Sequence, residues 1–251
     1  MAGFPDTDPS GPASAYSDAV AGMAGAQAVL LALIHRARTG QGQWIDLSQY
    51  EALSSQMETL MLELSVNKQR PQRAGNRLPH GGGAPHGVYR CKGEDRWVAI
   101  AVFTDSQWHA FADALGNPRW TTDQLFTTAL ARSRHSDELD SLVESWTLQR
   151  SSQEVMCLLQ AVGVCAGVVQ TGADLAERDP QLKERGFFRQ VLDADGVIRT
   201  IEGSPYKLSR TPGGANRGAP AFGSHQTYVL RDVLGMSDDE LADCAIAGVF
   251  E

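Results

Sequence analysis

The sequence predicts an α/β protein built in two parts, and three observations carry that reading. Within residues 15–49 a long apolar helical stretch runs into a glycine turn and a short strand. Residues 67–87, rich in Pro and Gly, then interrupt the chain. Beyond them, short apolar runs of strand period alternate with amphipathic helical segments, the pattern of a small α+β domain. A chain of 251 residues can bury a sizeable core in one or two such domains.

Composition narrows the function classes. A hydrophobic fraction of 42% and a charged fraction of 21% are those of a globular protein. The net charge of −8, with no basic run, argues against a nucleic-acid partner. Cys91, Cys157, Cys165 and Cys244 are widely spaced, with no C-x-x-C, so neither a zinc site nor a disulfide framework is expected. Free thiols fit a cytoplasmic protein. No secretory signal is visible. The most apolar run, 19–34, carries Gly22, Gly25 and Gln27 and is shorter than the roughly 20 residues of a membrane span. A buried helix of a soluble protein is expected there, with no membrane partner.

The elements follow in order. Residues 1–15 have loop composition; a domain rarely opens this way, so further sequence upstream is expected, with a tail as the alternative. Asp18 is read as the N-cap of a helix over 19–36. Its apolar residues spread around the cylinder, which predicts burial on most sides. Gly22 and Gly25 are costly in a helix and make sense if a backbone or ligand approaches them. His35, Arg36 and Arg38 suit the helix C-terminus. Residues 39–42 form a turn, and 43–47 a short strand. Ser48 caps a helix running to about 66, with Glu51 completing a capping box. Residues 67–87 form the linker.

Strands are expected at 88–92 and 97–103 about a turn at 92–96. Asp105 or Ser106 caps a helix through 115, which Asn117-Pro118 breaks. Residues 136–148 form a helix, and Ser151 or Ser152 caps another through 161. A strand at 164–171 precedes a largely helical 173–184. Residues 187–192 and 197–201 form a hairpin across Asp195-Gly196. Residues 210–223 are a second linker, and 227–234 and 238–246 are closing helices. Trp97, Trp108 and Trp146 are read as core residues.

These residues also carry a resemblance. Asp18, Gly22, Ala32, Leu33, Arg36, Thr39, Gly40, Gly42 and Gln43, followed by Ile45, Asp46, Leu47, Ser48 and Glu51, are similar in type and spacing to the family III CoA-transferases, the family of formyl-CoA transferase and carnitine CoA-transferase. The likeness continues through Gly75-Asn76-Arg77, the glycine run before Pro85-His86-Gly87-Val88-Tyr89, Trp108, Ser209-Arg210-Thr211-Pro212 and Leu234-Gly235. Enzymes of this family are longer, and their N-terminal half carries a Rossmann-like sheet and most CoA contacts. The resemblance therefore implies a C-terminal portion of a two-domain fold. Residues 1–66 would end the large domain, 67–87 form a linker with a glycine loop, 88–208 form the small α+β domain, and 209–251 return to the large domain. The family's subunits interlock as dimers, so the implied partner is a second copy or a chain supplying the N-terminal half.

The chemistry is read from both sources. From the residues alone Asp18 is a helix cap. The resemblance makes it the nucleophile, forming an acyl anhydride and then an aspartyl-CoA thioester. A helix N-terminus suits that role, because it favours the ionised carboxylate and offers N–H groups to an oxyanion. Gly81, Gly82 and Gly83 are a flexible linker from composition, or by resemblance a mobile loop that shields reactive intermediates from water. His80 and His86 flank it without a third metal ligand, so no metal is expected. Tyr16 either lines the acyl pocket or packs under the helix. Asn76 and Arg77 reach a CoA phosphate or form an ordinary ion pair. No cofactor is held permanently; a coenzyme A thioester is the implied substrate, with a carboxylic acid as acceptor.

Two further functions compete. An α-methylacyl-CoA racemase shares the fold and uses the matching aspartate with an upstream histidine as an acid/base pair. Its G-D-F-x-G-G signature is replaced here by Ser17-Asp18-Ala19-Val20-Ala21-Gly22, which favours the transferase. The third is a catalytically incomplete chain that binds a partner through exposed apolar surface.

Overall fold

The protein is described here from a computed structural model, which describes residues 3–11, 15–78, 82–214 and 217–249. Gly81 and His80 lie outside the described residues. The fold is mixed α/β, as the alternating patterns predict. The chain divides into two compact units, Met1–Val169 and Gln170–Glu251.

In the first unit, α1 spans Tyr16–Thr39. Alanine and leucine dominate it, and both are strong helix formers. Gly40 ends it in the left-handed conformation, φ 76°, with its N–H on Arg36 O at 2.8 Å. The N-cap is Ala15, so the helix starts before Asp18, which becomes the third helical residue instead of the cap. Aspartate is favoured at either place, because the first turn as a whole presents the positive end of the dipole.

The expected burial of α1 does not occur within this chain. Only Val20 and Ala21 are buried. Met23, Leu30, Leu31 and Ile34 are half or more exposed, because few elements of this chain pack on them. Among the described residues, the Leu47 side chain approaches Gly25, and nothing lies within 4 Å of a Cβ placed on Gly22 beyond the helix itself. With 24 residues and a mean hydropathy of 1.6 in its most apolar window, α1 is by length and composition long enough to cross a membrane, unlike the shorter run read from the sequence.

Residues 43–47 form no strand: no neighbouring strand bonds to them among the described residues. The helix expected over 48–66 is two, α2 (Gln49–Ser55) and α3 (Glu58–Ser65). The Ser48 hydroxyl accepts from Glu51 N at 3.2 Å, one half of the expected capping box.

Three antiparallel strands follow in the order β1 (His86–Arg90), β2 (Trp97–Ala101) and β3 (Cys165–Val169). The register sets His86 opposite Ala101, and Ala101 opposite Cys165. Strand alternation then gives two faces. Tyr89, Val98 and Ile100 face the core. There they meet α4 (Asp105–Ala114), α6 (Ser136–Thr147) and α7 (Ser152–Ala161), which contribute Trp108, Phe111, Leu139, Val143, Val155 and Leu159. The short α5 (Ala129–Arg134) precedes α6. Thr104, not Asp105 or Ser106, caps α4 through a full capping box with Gln107; Ser151 and Glu154 form the same device on α7. Trp108 is fully buried and Trp146 packs against the core, whereas Trp97 donates its indole N–H to Asp95 at 2.9 Å.

The second unit holds a π-type turn at Asp174–Arg178, α8 (Pro180–Arg185), a hairpin of β4 (Phe188–Leu192) and β5 (Ile198–Glu202), a second π-type turn at Tyr228–Val233, and α9 (Asp238–Ile246). Asp179 caps α8, and Pro180 fits its first turn because a proline lacks only an N–H that has no helical partner there. Gly196, φ 79°, turns the hairpin as Asp195-Gly196 predicts.

Candidate active site

Asp18 projects from the first turn of α1 and is exposed. Its Oδ1 accepts a hydrogen bond from Nε2 of Gln49, the first residue of α2. The packing of α2 on α1 brings the two together. The carboxylate thus sits at the positive end of one helix, held by an amide from the next. Tyr16 lies two positions earlier and is half exposed. At about 100° per residue, that spacing turns Tyr16 to another side of the helix from Asp18.

Of the glycine run, Gly82 and Gly83 are described. A Cβ on Gly83 would stand 2.8 Å from Val102 O and 3.2 Å from the Phe103 ring, so only glycine lets the chain lie so close to the end of β2. Immediately afterwards the backbone pairs with that end: Ala84 N donates to Val102 O at 3.1 Å, and Val102 N to Pro85 O at 2.9 Å.

Arg77 is committed to α6. Its guanidinium pairs with Asp137, and with Asp140 at 3.2 Å, and the Asp137 hydrogen bond is the main cause that raises its pKa. Asp140 also accepts from the buried Tyr89 hydroxyl at 2.7 Å; burial first, then this carboxylate, raises the Tyr89 pKa. Asn76 contributes its backbone carbonyl, which accepts from His86 Nδ1 at 2.5 Å.

A cavity of about 630 Å³ lies over the outer face of the sheet, between Asn76, Arg77 and His86 on one side and Ala101, Cys165 and Gly167 on the other. Asp18 does not line it. Among the described residues, no hydrogen bond joins Asp18 to the glycines or to Asn76 and Arg77. Among the described residues the candidates therefore lie apart: Asp18 on α1, Asn76 and Arg77 at the cavity over the sheet, and Gly82 and Gly83 outside the lining of that cavity.

Two residues at these sites escaped the sequence reading. Gln49 occupies an unassigned position directly after Ser48; the cap and the strand before it were the only signal. Arg132 is fully buried, with no motif to mark it. Its Nε donates to Ala84 O at 3.1 Å, Nη1 to Phe126 O at 3.1 Å, and Nη2 to Asp105 Oδ1 at 2.8 Å. Its guanidinium also lies 4.7 Å from the Trp108 ring centroid.

Known proteins share this arrangement of elements. The family model for CoA-transferase family III matches residues 1–226. A succinyl-CoA–D-citramalate CoA-transferase from Chloroflexus aurantiacus is 34% identical over 96% of this chain and 59% of its own length. The beta subunit of a succinyl-CoA–L-malate CoA-transferase from the same organism is 29% identical over 97% of this chain and 60% of its own. The solved structure of a CAIB/BAIF family protein from Brucella suis superposes with a TM-score of 0.81 at 28% identity, covering 93% of this chain and 59% of that one. The chain thus spans about three fifths of the length of these relatives. By a family match over most of its length, the chain belongs to CoA-transferase family III.

Proposed function

We propose that this chain carries the nucleophile of an acyl-CoA:carboxylate CoA-transferase, and that the nucleophile is Asp18. The observation that carries the reading is an exposed carboxylate in the first turn of α1, held on one oxygen by Gln49, in a chain of this family. The oxygen free of that bond attacks the thioester carbonyl of an acyl-CoA. The C–S bond breaks, giving an acyl–aspartyl anhydride and CoA thiolate. The thiolate then attacks the aspartyl carbonyl of the anhydride, releasing the donor acid as its carboxylate and leaving an aspartyl-CoA thioester. An acceptor carboxylate attacks that thioester, and the released thiolate takes the new acyl group from the resulting anhydride. Asp18 returns as a free carboxylate, with no net proton change. In this reading the coenzyme A thioester is a substrate, and Gly82 and Gly83 belong to the loop that keeps water from the two intermediates.

A second chain belongs to this reading. The exposed apolar face of α1, in a chain three fifths as long as its relatives, supports pairing with a second copy or with a chain that supplies the remainder. One relative is itself named a subunit.

The test is intact mass after incubation with a panel of acyl-CoAs, with and without hydroxylamine, on the wild type and Asp18→Ala. The expected result is a hydroxylamine-sensitive adduct that the variant lacks. An adduct that persists in Asp18→Ala overturns the assignment.

A further inference from the structure

Gly22 is a glycine that α1 has no local reason to carry. Its backbone is ordinary helix, so no left-handed conformation calls for it. Inside a helix a glycine is destabilising relative to alanine. Gly25, the other glycine of α1, is explained by packing: a Cβ there would stand 3.2 Å from Cδ2 of Leu47. No such contact explains Gly22, because among the described residues nothing lies within 4 Å of a Cβ placed on it. What its missing side chain provides is space.

That space has definite neighbours. Asp18, Gly22 and Gly25 follow at i, i+4 and i+7, on one face of the helix. The segment leading into α2 meets this face twice, Leu47 at Gly25 and Gln49 at Asp18. Gly22 therefore stands between two contacts of one short segment, a single turn along from the carboxylate. From Asp18 to Gly22 the helix rises about 6 Å, the length of an acyl chain of about four carbons. The far end is closed by an apolar side chain, Leu47. The exposed residues Met23, Leu30 and Ile34 lie about 100° further round the helix, so the gap is separate from their stripe.

We propose that this gap is the acyl slot beside Asp18: Gly22 sets its width and Leu47 its depth, so the site takes short, unbranched acyl groups. The proposal rests on the reading of Asp18 as the nucleophile and extends it to the class of donor. Neither Gly22 nor Leu47 takes part in bond making; both act by the room they leave.

The test measures rates of adduct formation with acetyl-CoA, butyryl-CoA and octanoyl-CoA. Wild type should react with butyryl-CoA faster than with octanoyl-CoA. Gly22→Val should lose about ten-fold or more with butyryl-CoA, while acetyl-CoA changes by less than about three-fold. Gly22→Ala should shift selectivity in the same direction while its melting temperature rises by about 2–4 °C, which separates lost space from lost fold. Leu47→Ala should raise the octanoyl-CoA rate about ten-fold relative to acetyl-CoA. Unchanged selectivity in both Gly22 variants, or no gain for octanoyl-CoA in Leu47→Ala, overturns the slot. A Gly22→Val protein that changes its sedimentation but not its selectivity also overturns it, and assigns the gap to packing against another chain.

Asp18→Asn separates the slot from the chemistry. Its melting temperature should rise more with butyryl-CoA than with CoA, and adding Gly22→Val should abolish the difference. A wild type that forms no adduct counts against the nucleophile, and this thermal shift then decides the slot. Equal shifts with butyryl-CoA and CoA overturn it.

Discussion

Gln49 donates its side-chain amide to Oδ1 of Asp18, although 31 residues separate them in sequence. The bond crosses from the first turn of α1 to the start of α2. It engages one carboxylate oxygen, so it gives the Asp18 side chain a defined rotamer. An amide suits this role, because it stabilises the carboxylate without offering it a proton.

Replacing Gln49 by Leu should therefore slow adduct formation by about ten-fold, the usual worth of one hydrogen bond to a charged group, with little change in apparent affinity for the acyl-CoA. Thermal stability should barely move, since both side chains are exposed. Gln49→Glu should be slower still, because a second carboxylate beside Asp18 repels the developing negative oxyanion. Single-turnover mass spectrometry measures both rates; a Gln49→Leu rate equal to wild type removes Gln49 from the mechanism.

The sequence made local devices legible and distant ones not. Asp195-Gly196 announces its hairpin, and the Ser151-Ser152 pair announces a helix start, although the choice between the two needed the structure, because the chemistry lies within a few residues. Residues 43–47 had strand composition but no partner among the described residues, and a strand exists only through its neighbours. Asp18 was read as the N-cap and stands instead in the first turn, because aspartate is favoured at both places and its identity alone does not separate them. The fork of Arg132 spans 48 residues to Ala84, and no spacing rule reaches that far. The burial of α1 was misjudged for a related reason: the helix has the composition of a buried one, but composition does not say which chain covers it.

The face of α1 gives the second prediction. Met23, Leu30 and Ile34 fall at i, i+7 and i+11, one stripe of the helix, and all are exposed. Such a stripe drives association. The purified chain should sediment as a dimer or larger species, and Leu30→Lys with Ile34→Lys should shift it to monomer. Unfolding free energy should change by only about 0.5 kcal/mol per site, because little packing is lost. A wild type that is monomeric at high concentration refutes this role for the stripe.

Thiol reactivity gives the third. Burial pushes the Cys91 pKa up to about 11, from an ordinary value of 9.0. At pH 8 this leaves roughly a hundred-fold less thiolate than an unperturbed thiol, and access is also blocked. Cys157 and Cys165 are exposed, Cys244 less so. Labelling with a thiol reagent at pH 8 should modify Cys157 and Cys165 first and leave Cys91 intact until the protein unfolds. Peptide mapping reads the order; early modification of Cys91 would mean that β1 and the segment after it open readily.

The acid side of the stability curve gives the last. The hydrogen bond from Arg132 holds Asp105 below its ordinary pKa of 3.8, and Arg90 does the same for Glu144, below 4.5. A carboxylate with a depressed folded pKa contributes its full stability above the unfolded value, and loses it as pH falls through the folded one. Both pairs are thus intact at neutral pH and lose their contribution only as pH falls below the ordinary carboxylate values toward the depressed folded ones. Asp105→Asn should lower the melting temperature at pH 7, because it leaves a buried guanidinium without its counter-charge. The gap between variant and wild type should then narrow as pH drops below 3.8, since only the wild type has a carboxylate left to protonate there. Thermal melts from pH 7 to pH 3 measure it. A gap that stays constant across this range would mean that Arg132 depends on its two carbonyls, Ala84 O and Phe126 O, and not on Asp105.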